Sequence, residues 1–123
     1  TPSRVMLENG TPLYSKFIYA SKNSTYAIDI NGRLYSWGSH EFGKLGTTDV
    51  ALDDKTFVPR RIGDASDWTD VASYNHHVVG VRGEGKSRRF FAWGDNSKKQ
   101  ISLADDAYYV TPQEIFLPAN PDF

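Results

Sequence analysis

The chain has 123 residues, enough for one modest domain, with 14 Lys plus Arg against 15 Asp plus Glu and no cysteine. A formal charge of −1 argues against general affinity for nucleic acid or an anionic membrane surface, and without cysteine neither disulfides nor thiolate metal sites can form. No apolar run approaches the roughly 20 residues of a membrane-spanning helix, and the opening TPSRVMLENG lacks the charged-then-apolar order of a secretion signal.

The chain starts at Thr1. Initiator removal and excision from a longer polypeptide both account for that, and an intracellular or virion-associated setting is expected. Aromatic residues make up 14% of the chain, which favours bulky packing surfaces over disorder.

In chain order, period-2 alternation predicts strands at residues 18–21, 25–30, 33–38, 58–62, 68–73, 77–82, 89–94 and 111–116. The pieces holding Pro59 and Pro112 suit edge strands. Between the second and third strands stands Asn31-Gly32, whose tolerance of positive φ predicts a two-residue type I′ hairpin. That register pairs Ile30 with Arg33, Ile28 with Tyr35 and Tyr26 with Trp37. It puts those six on a bulky face and Ala27, Asp29, Leu34 and Ser36 on a slimmer one. The best helix candidate is residues 97–107, with weak apolar periodicity.

The landmarks recur. Trp37-Gly38 returns as Trp93-Gly94, TPSRV at Thr1 returns as VPRRI at Val58 and TPQEI at Thr111, and IYASKNSTYAI from Ile18 aligns with VASYNHHVVGV from Val71. The order is kept throughout, at a spacing of about 55 residues. Residues 1–57 and 58–110 are read as two repeats, and 111–123 as the start of a third or a closing strand.

This pattern resembles the repeats of the regulator of chromosome condensation family. In the first copy the matching residues are Pro2, Val5, Thr25, Ala27, Ile28, Gly32, Leu34, Tyr35, Trp37, Gly38, Gly43, Leu45 and Gly46, with Ser24 and His40 departing from the family's His and Asn. In the second they are Pro59, Ile62, Val71, Ala72, His77, Val81, Phe90, Phe91, Trp93, Gly94, Asn96 and Gln100, with Lys99 and Ser102 replacing glycines. The joint at residues 62–68 looks more like bacterial or phage members.

The resemblance implies an all-β fold, with two to two-and-a-half four-stranded antiparallel blades of a β-propeller. Closed propellers of this family have about seven blades, far more chain than is present here. Two blades leave open faces, so the expectation is either a piece of a longer propeller or a subunit that closes a ring by self-association. Trp37 and Trp93 are expected as buried rings.

Several segments imitate chemistry. GVRGEGKS from Gly80 fits the phosphate-loop spacing, but that motif needs a helix after Ser87, and RRFFAWG reads as a strand. His76 and His77 are strand neighbours facing opposite ways, a poor metal pair. The resemblance gives His77 a structural hydrogen-bonding role. Asp53-Asp54 and Asp105-Asp106 are paired carboxylates in turns, read as solvated rather than catalytic. No catalytic residue, metal or cofactor is expected.

Rim loops remain. Residues 22–23, 39–57, 74–76 and 95–110 are predicted to share one rim, and residues 31–32, 63–67 and 83–88 the other. On the first rim His40, Glu41, Phe42, Lys44, Asp53, Asp54, Lys98, Lys99, Asp105 and Asp106 are the candidate contact residues. The alternative for the loop base is that Phe42 and Leu45 fold it onto the blade. The expected function is a non-catalytic interaction or structural scaffold that binds a protein partner. Two alternatives stand beside it. The resemblance implies nucleotide exchange on the small GTPase Ran, and the bacterial look of the repeats suggests a surface or virion component.

Overall fold

The computed structural model describes residues 13–21, 23–40, 43–47, 55–74, 76–96 and 108–115. Eight strands run through them: β1 (Ser15–Ala20), β2 (Ser24–Asp29), β3 (Leu34–Ser39), β4 (Lys55–Arg61), β5 (Trp68–Tyr74), β6 (His77–Arg82), β7 (Arg89–Asp95) and β8 (Tyr108–Ile115). They form two four-stranded antiparallel sheets, β1-β2-β3-β4 and β5-β6-β7-β8, in each of which chain neighbours are sheet neighbours. Every predicted strand is present. The predicted helix at residues 97–107 lies outside the described residues.

The two sheets repeat each other in detail. A register shift falls between Ser15 and Phe17 in the first and between Trp68 and Asp70 in the second. A second shift falls at Ser36/Gly38 and again at Ala92/Gly94, where the outer strand bulges. The outer strands β4 and β8 begin earlier than predicted, at Lys55 and Tyr108, and each runs through its proline. A bulge excuses a missing ladder N–H, so Pro59 and Pro112 do not end the pairing.

The first hairpin differs from the predicted register by one residue. Ile28 pairs with Leu34, Ala27 with Tyr35, Tyr26 with Ser36 and Thr25 with Trp37. Asp29 is the cause. Its Oδ1 accepts the N–H groups of Asn31 and Arg33, both at 2.9 Å, and its Oδ2 accepts Arg33 Nε at 2.7 Å. The carboxylate thereby organises a three-residue turn, closed by Gly32 N–H on Asp29 O at 3.0 Å, with Gly32 at φ 82°. A slip of one residue exchanges the faces of a strand. Leu34 and Ser36 therefore share a face with Tyr26 and Ile28, while Tyr35 and Trp37 lie on the other.

The core is the seam between the sheets. The first supplies Tyr26, Ile28, Leu34 and Ile62; the second supplies Trp68, Val71, Val78, Phe91 and Trp93; and Phe17, Tyr19 and Ala65 pack against them. Trp68 meets Phe91 and Trp93 edge-on, at centroid distances of 5.5 and 5.9 Å. Gly80 makes room for this stack, since a Cβ there would come within 2.5 Å of the Trp68 ring. Trp93 is fully buried. Trp37, its repeat equivalent, is only half-buried, because its face of the first sheet turns away from the second. Ile18 on that outward face is 58% exposed.

Candidate interaction surface

Two rims border the seam. On the first, each blade makes the same tie: Ser39 N–H donates to Asn23 O at 2.8 Å, and Asp95 N–H to His76 O at 2.9 Å. The Trp-Gly pairs owe their glycines to this approach. Gly38 and Gly94 have φ of 109° and 98°, and a Cβ would lie 2.5 Å from Asn23 O and 2.3 Å from His76 O. Tyr19 Oη donates to Ser73 O at 3.0 Å and Ser21 Oγ to Ser73 Oγ at 3.1 Å, which fastens the rims of the two blades.

Between them sits the tight turn Gly43–Leu45–Gly46. Gly43 N–H bonds His40 O, Gly46 N–H bonds Gly43 O, and Leu45 N–H donates to His40 Nδ1 at 3.2 Å. The outward carbonyls of the turn are used by both sheets. Ser36 Oγ donates to Leu45 O at 2.6 Å, and Tyr26 Oη and Trp93 Nε1 donate to Lys44 O at 2.6 and 3.0 Å. Gly46 lies against the Trp93 indole, where a Cβ would be 2.9 Å from Nε1. Burial pushes the Tyr26 phenol above its ordinary range and the His40 imidazole below its own.

His40 and Lys44, expected at the rim as contact residues, are thus enclosed, at 1% and 0% exposure. The reason is the turn itself, whose carbonyls serve as acceptors inside the seam and draw it inward. Leu45 is buried with them. Glu41, Phe42, Asp53, Asp54, Lys98, Lys99, Gln100, Asp105 and Asp106 lie outside the described residues. His77 is half-buried at the start of β6, opposite Gly94, and Asn96 is buried just after β7.

On the second rim, the three connections grouped from sequence meet. Trp68 N–H donates to Gly32 O at 3.0 Å and Gly83 N–H to Asp67 O at 2.9 Å. The phosphate-loop imitation is part of this rim: Gly80 lies in β6, a 3-10 turn covers Gly85–Ser87, and β7 follows directly. Beside the linker opens a cleft of about 490 Å³, lined by Ile62, Gly63, Ala65, Trp68, Arg82 and Phe91 among others. A shallower one of about 340 Å³ lies between Asn31, Asp67 and Glu84.

Arg82 lines the first cleft beside Asp64, and neither it nor its strand neighbour Arg89 was among the sequence candidates. They are a cross-strand pair on one face. Each guanidinium carbon stands 5.3 Å from the centre of the Phe91 ring, and Arg82 also covers Trp68 at 5.9 Å. The signal was internal. By register Trp68 and Arg82 occupy the places of Ser15 and Asp29 in the first repeat. The second repeat thus exchanges a turn-forming carboxylate for an arginine on an aromatic bed.

The folded units are two adjacent blades of a β-propeller, stacked through a shared hydrophobic seam. Residues 31–81 match the regulator of chromosome condensation (RCC1) repeat. The chain is 31% identical over 98 residues to an RCC1 repeat-containing protein of Dictyostelium discoideum, a match covering 80% of this chain and 20% of that protein. It is 25% identical over 101 residues to the human probable E3 ubiquitin-protein ligase HERC6, covering 80% of this chain and 9% of that one. Among solved structures, Prp20p of Saccharomyces cerevisiae superposes with a TM-score of 0.70 at 18% identity, over 83% of this chain and 26% of its own. Human WBSCR16 gives 0.69 at 21% identity, over 83% and 25%. The chain is built from repeats of the regulator of chromosome condensation family, and it spans only a small part of these relatives.

Proposed function

We propose that this chain is a non-catalytic propeller module whose rim loops bind a partner protein. The observation that carries the reading is the second rim, where three connections from two blades are held together by backbone hydrogen bonds around an apolar cleft. A rigid frame that gathers loops and leaves a partly apolar hollow suits recognition of another macromolecule. Similarity to Prp20p, whose binding properties to Gsp1p and histones are described, and which is also seen bound to Kap60, supports a protein as the ligand. The finer alternative, nucleotide exchange on a small GTPase, belongs to whole propellers, and this chain covers about a quarter of one.

The test is a capture experiment from lysate with the chain and with a version carrying Asp64→Lys and Glu84→Lys on the second rim, followed by an exchange assay on any GTPase retained. Partner retention that the double variant abolishes, with no acceleration of nucleotide release, is the expected result. Accelerated release would favour the exchange factor, and equal capture by parent and variant would move binding away from this rim.

A further inference from the structure

The seam joins two unlike faces, and the chain carries each of them twice. On the seam side of the first blade Tyr26, Ile28, Leu34 and Ile62 are fully buried. The same places in the second blade hold Val79, Val81, Phe90 and Ile115, half-buried on the face turned away from the seam. Conversely, the outward face of the first blade repeats the side of the second that fills the seam. There Ile18, Thr25, Tyr35 and Trp37 stand at the register positions of Val71, Val78, Phe91 and Trp93. Tyr35 is buried, but Ile18 is 58% exposed and Thr25 and Trp37 are half-buried, whereas Val71, Val78 and Trp93 are enclosed. In the seam the Trp93 indole finds Lys44 O, in a turn held by the Tyr26 and Ser36 hydroxyls and shaped by Gly43 and Gly46 at φ 75° and 72°. Trp37 makes no hydrogen bond among the described residues. The outward face therefore offers the indole donor of a seam without the carbonyl that completes one.

We propose that the outward face of the first blade docks a foreign blade of the same repeat type, one whose rim turn reads Gly-x-x-Gly and hands a backbone carbonyl to Trp37, and that a second copy of this chain is not that partner. The second repeat lacks every device that presents such a carbonyl. Val79 and Ala92 replace the Tyr26 and Ser36 hydroxyls, and Lys99 and Ser102 stand where the first repeat has Gly43 and Gly46. A Cβ at the place of Gly46 comes within 2.9 Å of the indole nitrogen that the turn serves, and one at the place of Gly43 within 2.9 Å of the Val110 backbone. The two open ends of the chain thus share apolar character but do not fit each other as the seam fits. The contact is heterologous, like the seam, so the outward face does not pair with itself either. It uses a blade face rather than a rim, and so stands apart from the rim-binding reading.

The probe is the full chain with the missing turn written into its second blade by Val79→Tyr, Ala92→Ser, Lys99→Gly and Ser102→Gly. A milder variant, Lys99→Gly with Ser102→Gly, leaves the strands untouched and serves if the fourfold one melts early. Sedimentation equilibrium over a concentration series follows both and the parent. The parent should stay at its monomer mass, while the glycine-bearing chains associate head to tail and their weight-average mass about doubles or more. Trp37→Phe in that background should weaken the association by about tenfold, the loss of one buried hydrogen bond, and Ile18→Lys on the exposed face should abolish it. Folded glycine-bearing chains that remain monomeric would overturn the proposal, as would association indifferent to both Trp37→Phe and Ile18→Lys. Association of the parent that Ile18→Lys abolishes would overturn it without any turn variant, because a second copy would then be a sufficient partner.

Discussion

Tyr26 on the first blade and Trp93 on the second donate hydrogen bonds to one acceptor, the carbonyl of Lys44, at 2.6 and 3.0 Å. Their joint role is to fix a turn in the middle of an apolar seam, where an unpaired carbonyl is costly. With both donors in place the carbonyl uses both of its lone pairs.

Removing the donors one at a time should therefore cost less than removing them together. Tyr26→Phe and Trp93→Phe should each destabilise the chain, the former by about 1–2 kcal/mol, while the pair leaves a buried acceptor stranded at a further cost of roughly 1–3 kcal/mol. Urea melts of the two single variants and the double variant measure the coupling. Strict additivity would show that the shared carbonyl does not connect the blades.

The two tryptophans of the Trp-Gly pairs should behave differently despite their equal place in the repeat. Trp93 is enclosed and Trp37 half-buried, so Trp93→Ala should cost about 3–5 kcal/mol and Trp37→Ala clearly less. Denaturant midpoints of the two variants decide this. Equal losses would mean that the outward face of the first blade is covered as fully as the seam.

Glycines at positive φ divide by what lies around them. Gly94→Ala and Gly63→Ala share the left-handed backbone penalty, about 1 kcal/mol, but only Gly94 would drive a Cβ to 2.3 Å from a carbonyl oxygen. Gly63 has nothing within 4 Å. Thermal unfolding should show a small loss for Gly63→Ala and a much larger one for Gly94→Ala, with Gly38→Ala resembling the latter.

His40 gives the seam a pH dependence of definite sign. Its folded pKa is lowered from about 6.5 by burial, and its Nδ1 must stay unprotonated to accept from Leu45 N–H. Between the folded and unfolded values the unfolded chain binds more protons, so stability rises with pH. The contribution is complete above about pH 6.5 and declines as pH falls below that value toward the folded pKa. Melts recorded from pH 7.5 to 5 should show that decline, and His40→Asn should flatten it. An unchanged slope in the variant would assign the effect to other groups.

The propeller frame was legible because its signals are backbone demands. Gly38, Gly94 and the two prolines mark a close approach and a bulge that recur in both blades, so spacing alone aligned them. The inward turn was open in the sequence, since Gly43, Leu45 and Gly46 give a fold for the loop but not the direction of its carbonyls. That direction buried His40 and Lys44. The hairpin register was missed through competition between two local signals. Asn31-Gly32 favours a two-residue turn, but Asp29 two positions earlier captures the turn N–H groups and adds a residue. The cleft at Arg82 was hidden because it exists only across the seam, between strands and a linker that the pattern of one repeat does not bring together.

Lys44 precedes the proline landmark of the second repeat, yet its carbonyl serves the indole of Trp93 within that repeat. The exchangeable cassette of this architecture is consequently out of step with its textual period. Recombination between relatives at Pro59 would part a tryptophan from the acceptor it evolved with, whereas a crossover ahead of Ser36 would carry the turn, the linker and the next blade as one inheritable piece.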